Sequence, residues 1–495
     1  MDTILSIPFL VFMPMVVSLI IISPFMISNE IIVRRFAKGI FSFHFLYTLV
    51  MLAFFNTDNP YLSQISFWGM DWIQSLGIKF AFKIDAISII LTVLTSFIFL
   101  IASISSKFVI RKNHKFYYSM LFILESAILG IFTANDMFLF FLFWELEMIP
   151  AYFLIGGDYG QRGEERTKAK NSAMKFILFT FLGSMFMLLG ILLLHHYNFV
   201  ANGILTATFS DITSTSIPLK IQLFISVCLL IGFGVKLPIV PLHTWLPDAH
   251  TNAVTPVSMI LSGVLLKTGA YGIFRFNYKT LPDAFAKIAL VLVILALINI
   301  IYIAFVTYAQ KDIKRIVAYS SISNMGLILL GIAACESIAL KASIFHMVAH
   351  GLVTCGLFMI VGIVYLRYKT RDIDVLSGVA TFMPRLFGFA VLIVLASIGV
   401  PLFAPFVSEI LTIVGVMNSE LSIIVRLAAV LSLPLLILSS CYMLKFLHKS
   451  FYGEVTTDEK INDITVHEFV VLASILAGLF IFGLFPNVLL GIIGG

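Results

Sequence analysis

Apolar runs of bilayer length recur along this chain from one end to the other, and a run of that kind has few ways to fold. From Ile4 to Ile22 the sequence carries 19 residues interrupted only by Ser and Pro. About 20 apolar residues span the hydrocarbon core of a bilayer, where only helices and closed barrels satisfy their own backbone. The runs are continuous rather than alternating, which selects helices. Charged residues make up 12% of the chain, about half the share of an ordinary soluble domain. The expectation is an all-α polytopic membrane protein. No basic region precedes the first run, and Asp2 is the only early charge, so that run is expected to stay as a membrane helix rather than leave as a secretory signal.

Cutting at charged and turn-rich stretches predicts fourteen spans, centred near residues 14, 45, 95, 124, 145, 185, 228, 264, 296, 325, 354, 398, 435 and 481. The largest polar connections fall near 56–82, 157–172, 198–218 and 450–467. Connections after odd-numbered spans hold 22 of the Lys and Arg residues, among them Arg34, Arg162, Lys314, Arg371 and Lys460. Connections after even-numbered spans hold eight, including Arg275 and Lys279. By the positive-inside rule the odd connections are cytoplasmic and both termini face outward. The same asymmetry accounts for the net charge of +6 as topology and removes nucleic acid as a partner. Cys228, Cys335, Cys355 and Cys441 have no paired spacing and read as small buried hydrophobes.

Two spans are broken by proline. Span 7 reads Gly232-Phe-Gly-Val-Lys-Leu-Pro-Ile-Val-Pro241 and span 12 reads Gly399-Val-Pro-Leu-Phe-Ala-Pro-Phe-Val-Ser-Glu409. Each places two prolines beside one ionisable group. Proline removes an amide donor, and broken backbone at membrane depth persists only where protein or water satisfies it. Breaks five spans apart predict two inverted five-helix repeats, a transporter pattern. The expected divisions are 1–114 (spans 1–3), 115–280 (spans 4–8), 281–450 (spans 9–13) and 451–495 (span 14).

Six charges fall inside predicted spans: Glu125, Glu145, Glu147, Lys236, Lys267 and Glu409. At ~2.5–3.5 kcal/mol each they cost roughly 15–20 kcal/mol unless paired or hydrated. Inert ion pairs that fix helix packing, or charges that snorkel to an interface, are the plain reading, and it suits Glu147, next to Pro150 and a polar loop, best. Glu145, Lys236 and Lys267 lie in strongly apolar surroundings and point to ion movement. His243 follows the break in span 7 and His250 lies just beyond it. His346 and His350 share a face of span 11. Imidazole accepts and releases protons near neutral pH, so a relay suits His350 better than a metal or haem site. There is no Walker loop, dinucleotide fingerprint or cluster-binding cysteine set; neither ATP hydrolysis nor electron transfer has a motif in this chain.

Phe143-Trp144-Glu145-Leu146-Glu147-Met148-Ile149-Pro150, Lys236-Leu-Pro-Ile-Val-Pro-Leu-His-Thr-Trp-Leu-Pro-Asp-Ala-His250, Leu265-Leu-Lys267-Thr-Gly-Ala-Tyr-Gly and Ala318-Tyr-Ser-Ser-Ile-Ser-Asn-Met-Gly326 together resemble the antiporter-like proton-channel subunits of respiratory complex I (NADH:quinone oxidoreductase). The resemblance runs over essentially the whole chain. Relatives of the L and N types usually carry lysine in broken span 12. Glu409 is similar to the M type, subunit 4 in mitochondria. The chain ends at Gly495 soon after span 14, so the lateral helix of the L type is not expected. One departure is Asn324, where relatives often have histidine; asparagine cannot hold a proton near neutral pH, so water would replace imidazole there.

The resemblance implies one proton channel, with Glu145 and Lys236 as a switching pair, Lys267 as central carrier and Glu409 as terminal site. His243 and His350 are relay candidates and Glu125 a further one. Two charges ~4 Å apart interact by about 4 kcal/mol at an effective dielectric of 20, enough to favour or disfavour a proton by opening and closing the pair. Lysine suits the task because burial can neutralise it, whereas arginine stays charged. The resemblance further implies no cofactor in this chain, with FMN, iron–sulfur clusters and quinone held by partner subunits. L-type and N-type subunits would be neighbours, in the bacterial inner (cytoplasmic) membrane. The rival reading is a subunit of a multisubunit Na+/H+ antiporter, which shares the Glu–Lys pair and lacks a redox partner.

Overall fold

Long apolar segments with proline at their ends or breaks make helices whose lengths follow the run lengths. The structure, a computed structural model, describes residues 6–24, 29–55, 67–161, 163–212, 217–454 and 461–494. Asp2, Ile4, Arg162 and Lys460 lie outside them. The helices, in chain order, are α1 (Ile7–Ile22), α2 (Glu30–Phe55), α3 (Ala86–Ser105), α4 (His114–Thr133), α5 (Met137–Gly156), α6 (Gly163–Asn202) and α7 (Leu219–Lys236). There follow α8 (Trp245–Asn252), α9 (Thr255–Ile260), α10 (Leu266–Gly272), α11 (Pro282–Tyr308), α12 (Ile313–Ala333) and α13 (Ser337–Tyr368). The last are α14 (Val379–Phe382), α15 (Pro384–Ser397), α16 (Ala404–Met417), α17 (Ile423–Ser432), α18 (Pro434–Phe451), α19 (Val466–Leu484) and α20 (Asn487–Gly494).

Among the described residues twelve helices are long and apolar enough to cross a membrane. The other two predicted spans coincide with shorter helices, α1 and the pair α15/α16. Span 8 runs continuously from Thr255 to Thr280, with wider π turns over residues 261–265 and 273–280 on either side of α10. Such turns interrupt the regular ladder and often mark functional positions.

The polar connection near 56–82 contains strand, not loop alone. Phe67–Ile73 (β1) and Ile78–Lys83 (β2) form an antiparallel hairpin, pairing Phe67 with Lys83 and Asp71 with Lys79. Gly77 turns it at φ +63°, a left-handed conformation that glycine takes at low cost. The alternation Ile78-Lys-Phe-Ala-Phe-Lys83 was the available signal, and the polar residues before it obscured it.

The chain divides into two compact units. The first comprises Met1–Ser103, Ile110–Leu237 and Val264–Ile288; the second comprises Ile104–Val109, Pro238–Gly263 and Ala289–Gly495. In the first, α1 and α2 lie on α4, α5 lies between α4 and α6, and α7 runs along α6 and α10. In the second, α13 is the centre, with α9, α12, α15, α16 and α19 around it. The division falls inside span 7, so the segment after Leu237 belongs with the second unit. Of the cysteines, Cys228 and Cys355 are buried, but Cys335 is half-buried and Cys441 exposed, because Cys441 falls on the outward side of α18.

Candidate functional site

In the first unit the ionisable groups are placed by helical phase. Asp136 caps α5, accepting from the amides of Phe138 (2.9 Å) and Leu139 (3.2 Å), which sets the start of the helix. Positions 140, 144, 147, 151 and 154 then form one buried face. Glu147 is on that face and Glu145 is not. Glu147 is 0% exposed, and its carboxylate contacts Nζ of Lys236 directly. Glu147 therefore does not reach an interface, as its nearness to Pro150 suggested. It is the direct ion-pair partner of the span-7 lysine. Glu145 is half-buried and stays within electrostatic reach of Lys236; the hydroxyl of Ser184 on α6, nearby, donates to Phe181 O at 2.9 Å.

Lys236 closes α7. Proline at 238 cannot continue the ladder, so the helix ends there, with the Leu237 amide donating to Phe233 O at 2.8 Å. The last carbonyls carry the negative end of the helix dipole and favour a cation. The ring of Trp144 lies with its centroid 4.4 Å from Nζ, adding a cation–π contact. Lys267, fully buried on α10, lies two residues before Gly269. A Cβ at Gly269 would stand 2.7 Å from Leu237 N and 3.1 Å from Lys236 Cβ. Only glycine lets the broken end of α7 approach the Lys267 helix this closely.

Glu125, on α4, is paired with a residue that sequence reasoning missed. His44 of α2 places Nδ1 2.9 Å from Glu125 Oε1 and Nε2 3.0 Å from Leu10 O, and both side chains are 0% exposed. A carbonyl only accepts, so Nε2 carries a proton, and one further proton is shared between Nδ1 and the carboxylate. A buried histidine on the inner face of an otherwise outward-facing helix was the signal.

In the second unit the break of span 7 continues as a turn holding His243, half-buried, and as α8, which carries the buried His250. The backbone there is satisfied by Asn299 of α11, which donates to Pro238 O (3.1 Å) and accepts from Val240 N (2.9 Å). Lys314, counted among the loop charges, is 5% exposed and donates to Ala253 O at 2.5 Å, beyond the end of α8. Its aliphatic stem makes that burial affordable.

His350 and His346 lie on α13 with ring centroids 6.1 Å apart. Asn324 donates to Ser320 O (2.9 Å), which turns its Oδ1 toward His346 Nε2 at 3.2 Å; Nε2 is therefore protonated. Nδ1 faces Ser408 Oγ at 2.8 Å. That hydroxyl can donate to Nδ1, or accept from it while donating to Pro405 O at 2.9 Å. Neutral and charged His346 are thus both satisfied, and Asn324 orients the His346 imidazole. A void of about 10 Å³ touches Ser320, Asn324, His346, His350 and Thr354, roughly the room one water needs.

Glu409 follows Ser408 on α16. It is 5% exposed, and its Oε2 has no hydrogen-bond partner among the described residues. The break between α15 and α16 passes Gly399 at φ +72°, where a Cβ would collide with that carboxylate. Glu409 lines a largely apolar cavity of about 470 Å³, together with Phe406, Leu436, Ser440 and Cys441 among others.

The family of NADH:quinone oxidoreductase and Mrp antiporter transmembrane subunits matches residues 134–433, which contain both broken spans and all the buried groups above except Glu125 and His44. This chain belongs to that family. Sequence relatives within it include NAD(P)H-quinone oxidoreductase chain 4 2 of Microcystis aeruginosa, 39% identical over 85% of this chain and 75% of the relative. NADH-quinone oxidoreductase subunit M of Rickettsia bellii is 36% identical over 90% and 88%. Subunit M and chain 4 are the branch that Glu409 singled out. The fold is shared with a chain of respiratory complex I from Thermus thermophilus (24% identity, TM-score 0.86, 99% and 98% covered). It is shared equally with a chain of the Mrp complex from Dietzia (19%, TM-score 0.87, 100% and 97%).

Proposed function

We propose that this chain is a proton-translocating subunit in the membrane arm of NADH:quinone oxidoreductase, of the M type. The observation that carries the reading is the Lys236 end of broken α7, held by Glu147 and within reach of Glu145, in a chain whose relatives are subunit M and chain 4. The switch is then a three-group one. Lys236 exchanges between Glu147, its buried partner, and the half-buried Glu145. When the pair opens, Lys236 gives its proton toward Lys267. In the second unit His350 and His346 pass protons toward Glu409, and His243 serves the broken turn. Electron transfer supplies the driving energy from other subunits, which hold FMN, iron–sulfur clusters and quinone. L-type and N-type subunits flank this one in the bacterial inner membrane, with both termini outward. Moving each charge against 100 mV costs about 2.3 kcal/mol.

The test compares inverted membrane vesicles carrying wild type and Glu145→Gln at equal assembly. NADH-dependent quinone reduction, NADH-driven acidification and Na+/H+ exchange are followed together. Joint loss of the first two is expected. Intact NADH oxidation with loss of Na+/H+ exchange would instead make the chain an antiporter subunit, and no change in any would make the buried pair inert.

A further inference from the structure

Arg275 and Lys279 count by sequence as connection charges, but Arg275 lies within the helical stretch of residues 273–280 and its side chain is 16% exposed. Tyr271 and Arg275 follow Lys267 at successive turns of the same span, so all three share a face. Arg275 Nη2 lies 2.5 Å from Asp85 Oδ2 at the start of α3 and donates to Ser88 Oγ at 3.2 Å. Ser88 Oγ is 3.2 Å from Tyr271 OH, and Tyr271 OH donates to Phe132 O at 2.8 Å. The guanidinium also stacks on Tyr271, 4.9 Å from its ring centroid, and Asp85 accepts from Ser88 N at 3.0 Å.

The direction of these bonds decides what the cluster can do. Arginine only donates and keeps its charge, and a backbone carbonyl only accepts. With both ends set, Ser88 must donate to Tyr271 and Tyr271 to Phe132 O. Every proton in the chain is committed in one direction, from a permanent cation to a dead end. Such a chain cannot relay a proton, because no member can take one from Lys267 and hand it on. Lys279, with its Nζ 4.9 Å from the Phe274 ring, and Lys83 add positive charge beside it. A fixed cation across a narrow path excludes protons and cations.

We infer that Asp85, Arg275, Ser88 and Tyr271 form a seal at the end of the first unit beyond Lys267, which stops a proton on that lysine from leaving directly at the hairpin side. The inference rests on Lys267 as the carrier, and it makes Arg275 a positioning residue that gives the channel its direction.

The test uses the purified complex in proteoliposomes and reads passive proton permeability, the decay of an imposed pH gradient with no NADH present. Arg275→Gln is expected to speed the decay severalfold while quinone reduction continues, and Arg275→Lys, which keeps a cation but not the fork, to restore part of the barrier. Adding Lys267→Met to Arg275→Gln is expected to abolish the leak. A leak that persists in the double variant overturns the proposal, because the escaping proton is then not one held on Lys267. Assembled Arg275→Gln complex with the permeability of wild type overturns the proposal. Where Arg275→Gln does not assemble, Asp85→Asn, which only loosens the guanidinium, must leak, and a tight Asp85→Asn complex overturns it equally.

Discussion

Which carboxylate meets Lys236 is a matter of helical phase. Residues 144 and 147 are one turn apart, whereas 145 lies about 100° around the helix, so the side of α5 that buries Trp144 also buries Glu147. A charge at that depth is tolerable because Nζ of Lys236 contacts it. Removing one partner of such a pair leaves the other uncompensated, at about 3–5 kcal/mol. Glu147→Gln is therefore expected to lower the thermal midpoint and assembly yield of the complex. Glu145 is only half-buried and does not contact Nζ of Lys236 directly, so Glu145→Gln, which keeps an accepting oxygen, should leave the midpoint nearly in place while acidification fails. Equal midpoints for the two variants would contradict the assignment of Glu147 as the direct partner. The same logic of satisfied protons applies at His346, where Asn324 and Ser408 leave both protonation states hydrogen-bonded.

At the scale of the element, the broken spans depend on groups outside themselves. Prolines end α7, but prolines do not say what pairs the amides and carbonyls they release. Asn299, on a helix otherwise apolar in this stretch, does so for Pro238 O and Val240 N. Each buried orphan costs ~1–3 kcal/mol, so Asn299→Leu is expected to loosen the 237–244 turn. Hydrogen exchange at the Val240 amide measures this directly: faster exchange is expected, and protection equal to wild type would show the turn to be held by other means. In span 12 the corresponding constraint is Gly399, where a left-handed φ and the neighbouring Glu409 carboxylate both exclude a side chain. The hairpin β1–β2 is a third case, set by period-two alternation and a glycine turn rather than by hydrophobic length.

For the whole molecule, charge asymmetry carries an orientation that packing alone does not. With 22 basic residues in the odd connections against eight in the even ones, a C-terminal alkaline phosphatase fusion is expected to be active and a C-terminal fluorescent protein dark. The reverse pattern would invert the topology and with it the direction assigned to the channel.

What the sequence determined by itself was whatever depends on local chemistry: helices of bilayer length, the breaks at Pro238 and Pro401, and the few positions where charge sits inside an apolar run. These follow from run length, the missing proline amide and the cost of burying charge, none of which needs a neighbour. The family was legible too, because its motifs are contiguous. Tertiary structure alone decided the pairings: Glu147 rather than Glu145 against Lys236, His44 on Glu125, Asn299 across the break, and Arg275 on Asp85. Those partners lie far apart in the chain. Which face of a helix meets which neighbour is set by how whole helices dock, through side-chain shape and close approach at glycines such as Gly269.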